Sequence, residues 1–236
     1  MWKLVLYPNK ANANLYIAAA FVLFLYFTGT LSAMAILFAY FLETIIIGLF
    51  MVIKMCFITI YSHENKGSNI GKIFFFCVHY GGFVAIQSIF AFTFLEVDKT
   101  DGIVNGFNIL ENYRYVLQLE NIWLLLGFTI LSHFYTLTTV FINEKRYKQI
   151  TTFEIMVAPY IRIIVQQFVV ILAGFFMFWS SATAAVLLLV FIRTFVDCCI
   201  IAIKDDSPLL EWLVKQKRPP EITEEVFRKQ LKNLTE

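Results

Sequence analysis

The chain of 236 residues is 59% hydrophobic and 17% aromatic, only 15% of its residues are charged, and its formal net charge is +2. Ordinary soluble domains contain about 45–50% apolar and about 25% charged residues, so this composition excludes a typical soluble protein and indicates that apolar surface faces lipid. The near-neutral charge gives no indication of a nucleic-acid partner, and the lipid bilayer is the partner that we expect.

Apolar stretches long enough to cross a bilayer recur along the chain. A crossing helix needs about 20 predominantly apolar residues. We therefore predict an all-α, polytopic membrane bundle of six transmembrane helices. The predicted spans are 15–30, 31–61, 73–95, 122–141, 157–179 and 182–203. The second is roughly ten residues longer than a perpendicular crossing requires, so we expect it to tilt or to project beyond the bilayer.

Lysine and arginine near the span ends fall almost entirely on one side of the predicted bundle. The opposite side carries only Lys99 and Arg114, in a loop that is also rich in carboxylates. The positive-inside rule then predicts that both termini are cytoplasmic and that the protein is a multi-pass protein of the inner (plasma) membrane. The residues on the positive side are Lys3, Lys10, Lys66, Lys72, Lys145, Arg146, Lys148, Lys204, Lys215, Lys217 and Arg218.

Two segments outside the spans have helical patterns of their own. Within the loop 96–121, apolar residues recur at helical spacing after the turn signals Asp101-Gly102 and Asn105-Gly106, which predicts a short helix on the outer membrane face. We divide the chain into a spanning domain, 1–206, and a cytoplasmic amphipathic helical tail, 207–236. In the tail, Ser207-Pro208 and Thr223 are expected to begin two helices, and docking on the bundle, docking on a partner and solvation all stay open.

Ionisable and amide side chains lie inside the predicted spans, where lipid cannot hydrate them. The rise of 1.5 Å per residue converts sequence position into depth. Four of these side chains fall near the midplane, Gln87 lies close to it, three fall in the cytoplasmic half, and Lys54 lies near the inner interface, where it can snorkel. The midplane group is Glu43, His133, Gln167 and Arg193, and the cytoplasmic group is His79, Arg162 and Asp197.

A carboxylate at the depth of Glu43 needs an internal partner or a proton. Arg193 lies at matching depth on the sixth span and is the partner that we predict, with His133 next. Asp197 follows Arg193 by four residues, so both occupy one helix face and can pair. A network of this kind serves either as a functional polar site or as packing specificity between apolar helices.

Several stretches of the chain resemble an uncharacterised family of prokaryotic six-helix membrane proteins, known as a domain of unknown function. The resemblance rests on FLETIIIGLFMVIKM in the second span, FFFCVHYGGF in the third, Ser132-His133 in the fourth and PYIRIIVQQ in the fifth. It implies the six-helix architecture and no activity. Histidines of the family stand where this chain has Gln87 and Gln167, which argues against a histidine-rich haem or metal site. The residues that the resemblance singles out are Glu43, His79, Tyr80, His133, Arg162, Arg193 and Asp197.

Three classes of function fit these residues. In the first, the protein binds or transports a small solute, an ion or a proton, Glu43 exchanges a proton or a cation, and Arg162 and Arg193 supply countercharge. In the second, it is a membrane enzyme whose metal or cofactor, of unknown identity, is held by nitrogen and oxygen ligands. The candidate ligands are Glu43, His79, His133 and Asp197. In the third, it is a structural or assembly subunit that contacts a second copy or another membrane protein. The chain contains none of the common catalytic patterns H-E-x-x-H, C-x-x-C or G-x-S-x-G.

Overall fold

The computed structural model of the protein describes residues 5–61, 65–97, 102–103, 105–179, 182–204 and 207–233, without the side chains at 94–97, 161–162, 166–167, 169–171, 173–179, 182 and 204. Every regular element within these residues is helical, so the predicted all-α class is confirmed. In chain order the α-helices are α1 Ala13–Phe27, α2 Ala33–Tyr61, α3 Lys66–Val97, α4 Ile109–Val116, α5 Ile122–Thr136, α6 Thr152–Trp179, α7 Ala182–Lys204, α8 Pro208–Lys217 and α9 Glu224–Asn233. A π-helical segment, Leu137–Asn143, and a 3₁₀ turn, Arg146–Lys148, connect α5 to α6.

Helix α2 is the centre of the bundle. Helices α3, α5, α6 and α7 all pack against it, and more than half of its most apolar stretch is buried. It is apolar around almost its whole circumference, as expected for a helix surrounded by other helices. Its few polar residues must therefore find their partners inside the protein, and this requirement creates the candidate site.

Four helical segments among the described residues are long and apolar enough to cross a membrane: Ala33–Tyr61, Lys66–Thr93, Ile122–Asn143 and Thr183–Ile203. Their outward faces expose large apolar side chains such as Phe74, Phe128 and Phe191. Helix α1 is also apolar but has only 15 residues, or about 22 Å of helix against a hydrocarbon core of about 30 Å. Helix α6 has 28 residues, but many of its side chains lie outside the described residues.

The short helix α4 closes one end of the bundle, which we call the loop end. Val116 is fully buried there, and the Tyr113 ring stands edge-on to Phe92 with centroids 5.2 Å apart. The Tyr113 hydroxyl lies 2.7 Å from the Ser88 hydroxyl. Burial raises the pKa of Tyr113 to about 12, although the hydrogen bond with Ser88 lowers it. The short helix predicted for this loop is confirmed, and it packs into the core instead of only lying along a surface.

At the opposite end, the tail end, α8 and α9 fold back onto the bundle. Ser207 and Thr223 cap these two helices through their side-chain oxygens, as predicted. Asn233 at the end of α9 is only 5% exposed, and its Nδ2 donates to Glu154 Oε1 of α6 over 2.8 Å. The other carboxylate oxygen of Glu154 accepts from the backbone N and the hydroxyl of Thr151, which forms a capping box at the start of α6. One carboxylate thus caps α6 and holds α9.

Candidate functional site

The predicted pair between α2 and α7 is present. Arg193 Nη2 donates to Glu43 Oε1 over 2.9 Å and lies 2.8 Å from Glu43 Oε2. Glu43 is buried because α2 is enclosed by its neighbours, whereas the side chain of Arg193 remains 37% exposed. Both carboxylate oxygens therefore lie close to the same guanidinium nitrogen. Oε2 forms an ion pair with it but accepts no hydrogen bond from any described residue.

Two further side chains complete the cluster around Arg193. Asp197 Oδ2 lies 3.9 Å from Arg193 Nε, one helical turn further along α7. The Arg193 guanidinium also stands over the ring of Tyr40, 5.3 Å from its centroid. A cation held over an aromatic face is stabilised by the negative potential of the ring. The guanidinium is thus shared between two carboxylates and one aromatic ring.

The space inside this cluster is small. The cavity lined by Tyr40, Glu43, Arg193 and Asp197 measures about 20 Å³. A single water molecule needs roughly 10–15 Å³ measured in the same way. In this conformation the site has room for about one water or one small cation, and not for an organic solute.

A contact between α2 and α3 fixes the helix that carries Glu43. The buried hydroxyl of Tyr80 donates to the backbone carbonyl of Thr44 over 2.9 Å. A Cβ on Gly48 would stand 2.6 Å from Tyr80 Cε1, so only glycine admits the ring there. The predicted polar-core residue Tyr80 thus lies next to Glu43 and sets the spacing of these two helices.

His79 lies away from this cluster, on the exposed surface of α3. Its Nδ1 is 2.9 Å from the hydroxyl of Tyr160 on α6. The ring stacks on Phe75 with centroids 4.9 Å apart and meets Phe83 edge-on at 5.0 Å. His79 therefore links α3 to α6 through a hydrogen bond within an aromatic group.

The other predicted polar residues bind elsewhere in the bundle. His133 is half-buried against the ring of Phe50, with centroids 5.6 Å apart. Gln87 is 3% exposed, and its Nε2 donates to the Ile163 carbonyl over 2.9 Å. Within the described part of the chain, Gln87 Oε1 accepts no hydrogen bond. These two side chains help to join α3, α5 and α6 to their neighbours.

The candidate metal ligands do not converge. Glu43 and Asp197 share Arg193, whereas the contacts of His79 and His133 described above lie on α6 and α2 at other places. Among the residues that the structure describes, no three His, Cys, Asp or Glu side chains form a group that could hold a metal ion. The side chains of Arg162 and Gln167 fall outside the described residues, so their place relative to the cluster stays a prediction.

The expectation that Lys54 snorkels to an interface is wrong. Lys54 is only 5% exposed, and its Nζ lies 5.4 Å from the centroid of the Phe141 ring. Phe141 belongs to the π-helical segment that continues α5 along α2. This segment packs over the lysine side chain and buries it. The position of Lys54 along α2 does not predict this burial.

Sequence reasoning missed two aromatic partners of the predicted polar residues. Tyr40 precedes Glu43 by three residues and therefore shares its helix face, a signal that was present in the sequence. Tyr160 lies in the Pro-Tyr-x-Arg stretch and pairs with His79 across two helices, which no spacing within α6 indicates. Both aromatic rings thus contact polar residues that the sequence had singled out.

Comparison with known proteins gives a family and no activity. No curated protein and no solved structure matches the chain. The family described as a family of unknown function, DUF6498, matches residues 1–220. This match spans all the predicted and observed apolar helices together with the Glu43–Arg193–Asp197 cluster. The chain therefore belongs to DUF6498, a family of unknown function.

Proposed function

We propose that the protein is an integral membrane protein of the inner (plasma) membrane of a prokaryote, with six spans and both termini in the cytoplasm. Four long apolar helices support this proposal, and α1 and α6 would supply the remaining spans. The division into a spanning domain, 1–206, and a cytoplasmic tail, 207–236, follows from the same topology. Helix α1 is shorter than the hydrocarbon core is thick. Either the bilayer thins around it, or α7, against which it packs, shields it from lipid.

Within this topology, we propose that the cluster of Glu43, Arg193 and Asp197 is a proton-binding site of a transport protein. The observation that carries the proposal is the buried carboxylate of Glu43, whose Oε2 accepts no hydrogen bond from any described residue and which lines a space of about 20 Å³. An arginine stays charged at every physiological pH. A buried carboxylate oxygen that accepts no hydrogen bond is costly at membrane depth. Binding one proton, or one small cation, in the adjacent space satisfies that oxygen.

The two carboxylates differ in position. Glu43 is the more buried and lies closer to the guanidinium. Asp197 lies further from the guanidinium and is more exposed. In this proposal the proton belongs to the pair of carboxylates and not to either residue alone. The small volume of the cavity favours a proton or an ion over the solute that the sequence left open.

Proton flux in liposomes tests the proposal. The protein is reconstituted with a pH-sensitive dye inside, and a proton gradient is imposed under a potassium-clamped membrane potential. We expect wild-type flux above that of protein-free liposomes and a fall of at least about tenfold in Asp197→Asn and Glu43→Gln. Glu111→Gln is the matched control, because Glu111 is an exposed carboxylate on α4 at the loop end. Equal flux in wild type, both cluster variants and protein-free liposomes would contradict the proposal.

One observation favours a second candidate, a structural or assembly subunit. The Arg193 side chain is 37% exposed at a depth where lipid cannot hydrate it, so a second copy or another membrane protein could cover it. Light scattering of the detergent-solubilised protein tests this candidate. A dimer in wild type that becomes a monomer in Arg193→Gln, with proton flux absent in both, would favour assembly over transport. The metal-dependent enzyme has no comparable support, because its candidate ligands lie apart.

A further inference from the structure

A polar pair lies on the exposed face of α3, away from the Glu43 cluster. His79 is exposed there, and its Nδ1 lies 2.9 Å from the hydroxyl of Tyr160 on α6. The exposed side chains beside it on α3, Phe75 and Phe83 among them, are apolar. We propose that this place binds the ring of a quinone or quinol dissolved in the bilayer. The proposal rests on the membrane topology proposed above and does not require that the protein transports protons.

The depth of His79 explains why it needs a partner from the lipid side. Lys72 is the last charged residue before His79 on α3, and the seven residues from one to the other correspond to about 10 Å of helix. The next charged residue in the chain is Glu96. In the proposed topology, the exposed side of His79 therefore faces hydrocarbon, where water cannot satisfy a polar group.

The His79 ring has one nitrogen left for a ligand. Its Nδ1 is bonded to the Tyr160 hydroxyl, and within the described part of the chain its Nε2 forms no hydrogen bond. A neutral imidazole has one donor and one acceptor nitrogen, and a tyrosine hydroxyl can take either role. When the hydroxyl donates to Nδ1, Nε2 carries the proton and donates. When the hydroxyl accepts from Nδ1, Nε2 is the acceptor, so the pair can serve a carbonyl or a hydroxyl group without any change of charge.

These two arrangements match the two forms of a quinone. The oxidised form presents carbonyl oxygens, which accept a hydrogen bond, and the reduced form presents hydroxyl groups, which donate one. Phospholipid head groups lie at the surface of the bilayer and not within its hydrocarbon, and their acyl chains carry no polar atom at this depth. A quinone, by contrast, dissolves in the hydrocarbon and carries its oxygens on a flat ring. It is therefore the membrane molecule that fits the exposed nitrogen.

The rings around the pair suit a flat ligand. Phe75 stacks on His79 with centroids 4.9 Å apart, and Phe83 stands edge-on to His79 at 5.0 Å and to Tyr160 at 6.3 Å. Aromatic rings attract a further ring in an offset or edge-on arrangement. Gly82 lies three residues after His79, hence on the same face, and a Cβ built there meets no other helix within 4 Å. A ring can thus approach the backbone of α3 beside His79.

Quinone binding to the full chain tests the proposal. The protein is placed in phosphatidylcholine nanodiscs at constant pH, and decylubiquinone or menadione is titrated, with empty nanodiscs as the measure of partition into lipid. Infrared spectroscopy records the carbonyl stretch of the quinone, which falls in frequency when the carbonyl accepts a hydrogen bond. His79→Phe keeps an aromatic ring without its nitrogens, and Tyr160→Phe removes one hydroxyl. Tyr135→Phe is the matched control, because Tyr135 is an exposed tyrosine on α5.

We expect saturable binding in wild type and in Tyr135→Phe, with a carbonyl band at lower frequency than in empty nanodiscs. In His79→Phe the dissociation constant should rise at least about tenfold, and the band should return to its position in lipid. Tyr160→Phe removes the hydroxyl that orients His79, so the dissociation constant should rise at least about threefold.

Three results would overturn the proposal. They are binding no stronger than partition into empty nanodiscs, equal binding by His79→Phe and wild type, and a quinone-free dimer that dissociates in His79→Phe, since a second copy is then the partner of His79. If His79→Phe does not fold, photolabelling of wild type with an azidoquinone decides: label within 75–86 supports the proposal, and label only elsewhere contradicts it. Binding is measured without a proton gradient, so this proposal and the proposed proton transport can fail separately.

Discussion

The two charged regions of this protein differ in how much space surrounds their charges. In the middle of the bundle, Glu43, Arg193 and Asp197 enclose about 20 Å³ and lie within reach of one another. At the tail end, a cleft of about 390 Å³ between the Arg146–Lys148 turn and α9 is lined mainly by basic side chains. Removing one partner of a buried pair leaves the other charge without its countercharge, whereas charges around an open space are screened by water and salt. The comparison teaches that burial, more than the number of charged residues, distinguishes the two regions.

The largest effect should come from removing the cation of the central cluster. We expect Arg193→Gln to cost about 3 kcal/mol of stability, because Glu43 is then left buried without its countercharge. This lies at the lower end of the cost for a buried pair, since the Arg193 side chain is 37% exposed. The measurement is the thermal unfolding midpoint in mild detergent.

Two variants check the origin of that effect. Arg114→Gln, at an exposed position on α4, should leave the midpoint unchanged. Glu43→Gln combined with Arg193→Gln should recover most of the loss, because the buried charge is gone. A double variant as unstable as Arg193→Gln alone would show that packing of the arginine side chain, and not its charge, stabilises the centre.

A smaller effect is expected where α3 meets α2 beside the cluster. Gly48→Ala places a methyl group 2.6 Å from Tyr80 Cε1 in a buried site, so the helices must separate. Overpacking of this kind costs about 1–3 kcal/mol, and the same thermal measurement detects it. Gly81→Ala is the control, since a Cβ at Gly81 meets nothing within 4 Å. If both variants unfold alike, the close approach of Tyr80 to Gly48 is not what sets the spacing.

At the tail end, the bond between Asn233 and Glu154 should matter less. Asn233→Ala removes one hydrogen bond to a carboxylate, a loss of about 1–2 kcal/mol that affects tail docking more than the bundle. We therefore expect faster proteolysis of α9 with little change in the thermal midpoint. A fall of the midpoint as large as that of Gly48→Ala would mean that the tail is part of the cooperative core.

The smallest predicted change is a gain in stability, whereas the changes above are losses. Lys229→Gln removes one of the four basic side chains that line the cleft, so repulsion among them falls and docking of the tail should gain a few tenths of a kcal/mol. Hydrogen exchange of the α9 backbone amides, compared with that in Lys215→Gln, measures the gain. Slower exchange in Lys229→Gln at low salt, lost at high salt, is the expected result. Faster exchange would show that Lys229 stabilises the docked tail directly and would contradict this prediction.

The sequence predicted the helical class, the main apolar helices and the central pair for physical reasons. Long apolar stretches leave few alternatives to helices, and a buried carboxylate such as Glu43 restricts its partner to a cation at similar depth. Arg193 met that condition, and Asp197 followed from its position one turn away. These inferences use only the depth of a residue and its position around a single helix.

What the sequence could not provide depends on the packing between distant elements. Lys54 was assigned to an interface by its position along α2, but the π-helical segment with Phe141 covers it. The tail cleft unites residues from 146 to 233, and no helical period relates them. His133 was placed at the depth of Glu43 and His79 in the cytoplasmic half, but both face other neighbours, because depth does not determine which side of the bundle a residue faces.

The contact of Tyr80 with Gly48 has a consequence for how the protein can move. The ring occupies the space beside α2, and its hydroxyl holds the Thr44 carbonyl one residue after Glu43. This contact resists sliding or turning of α2 against α3 near that carboxylate. For the proposed transport function, we therefore expect a change in water access to Glu43 to come from displacement of α7 with Arg193 relative to α2 and α3.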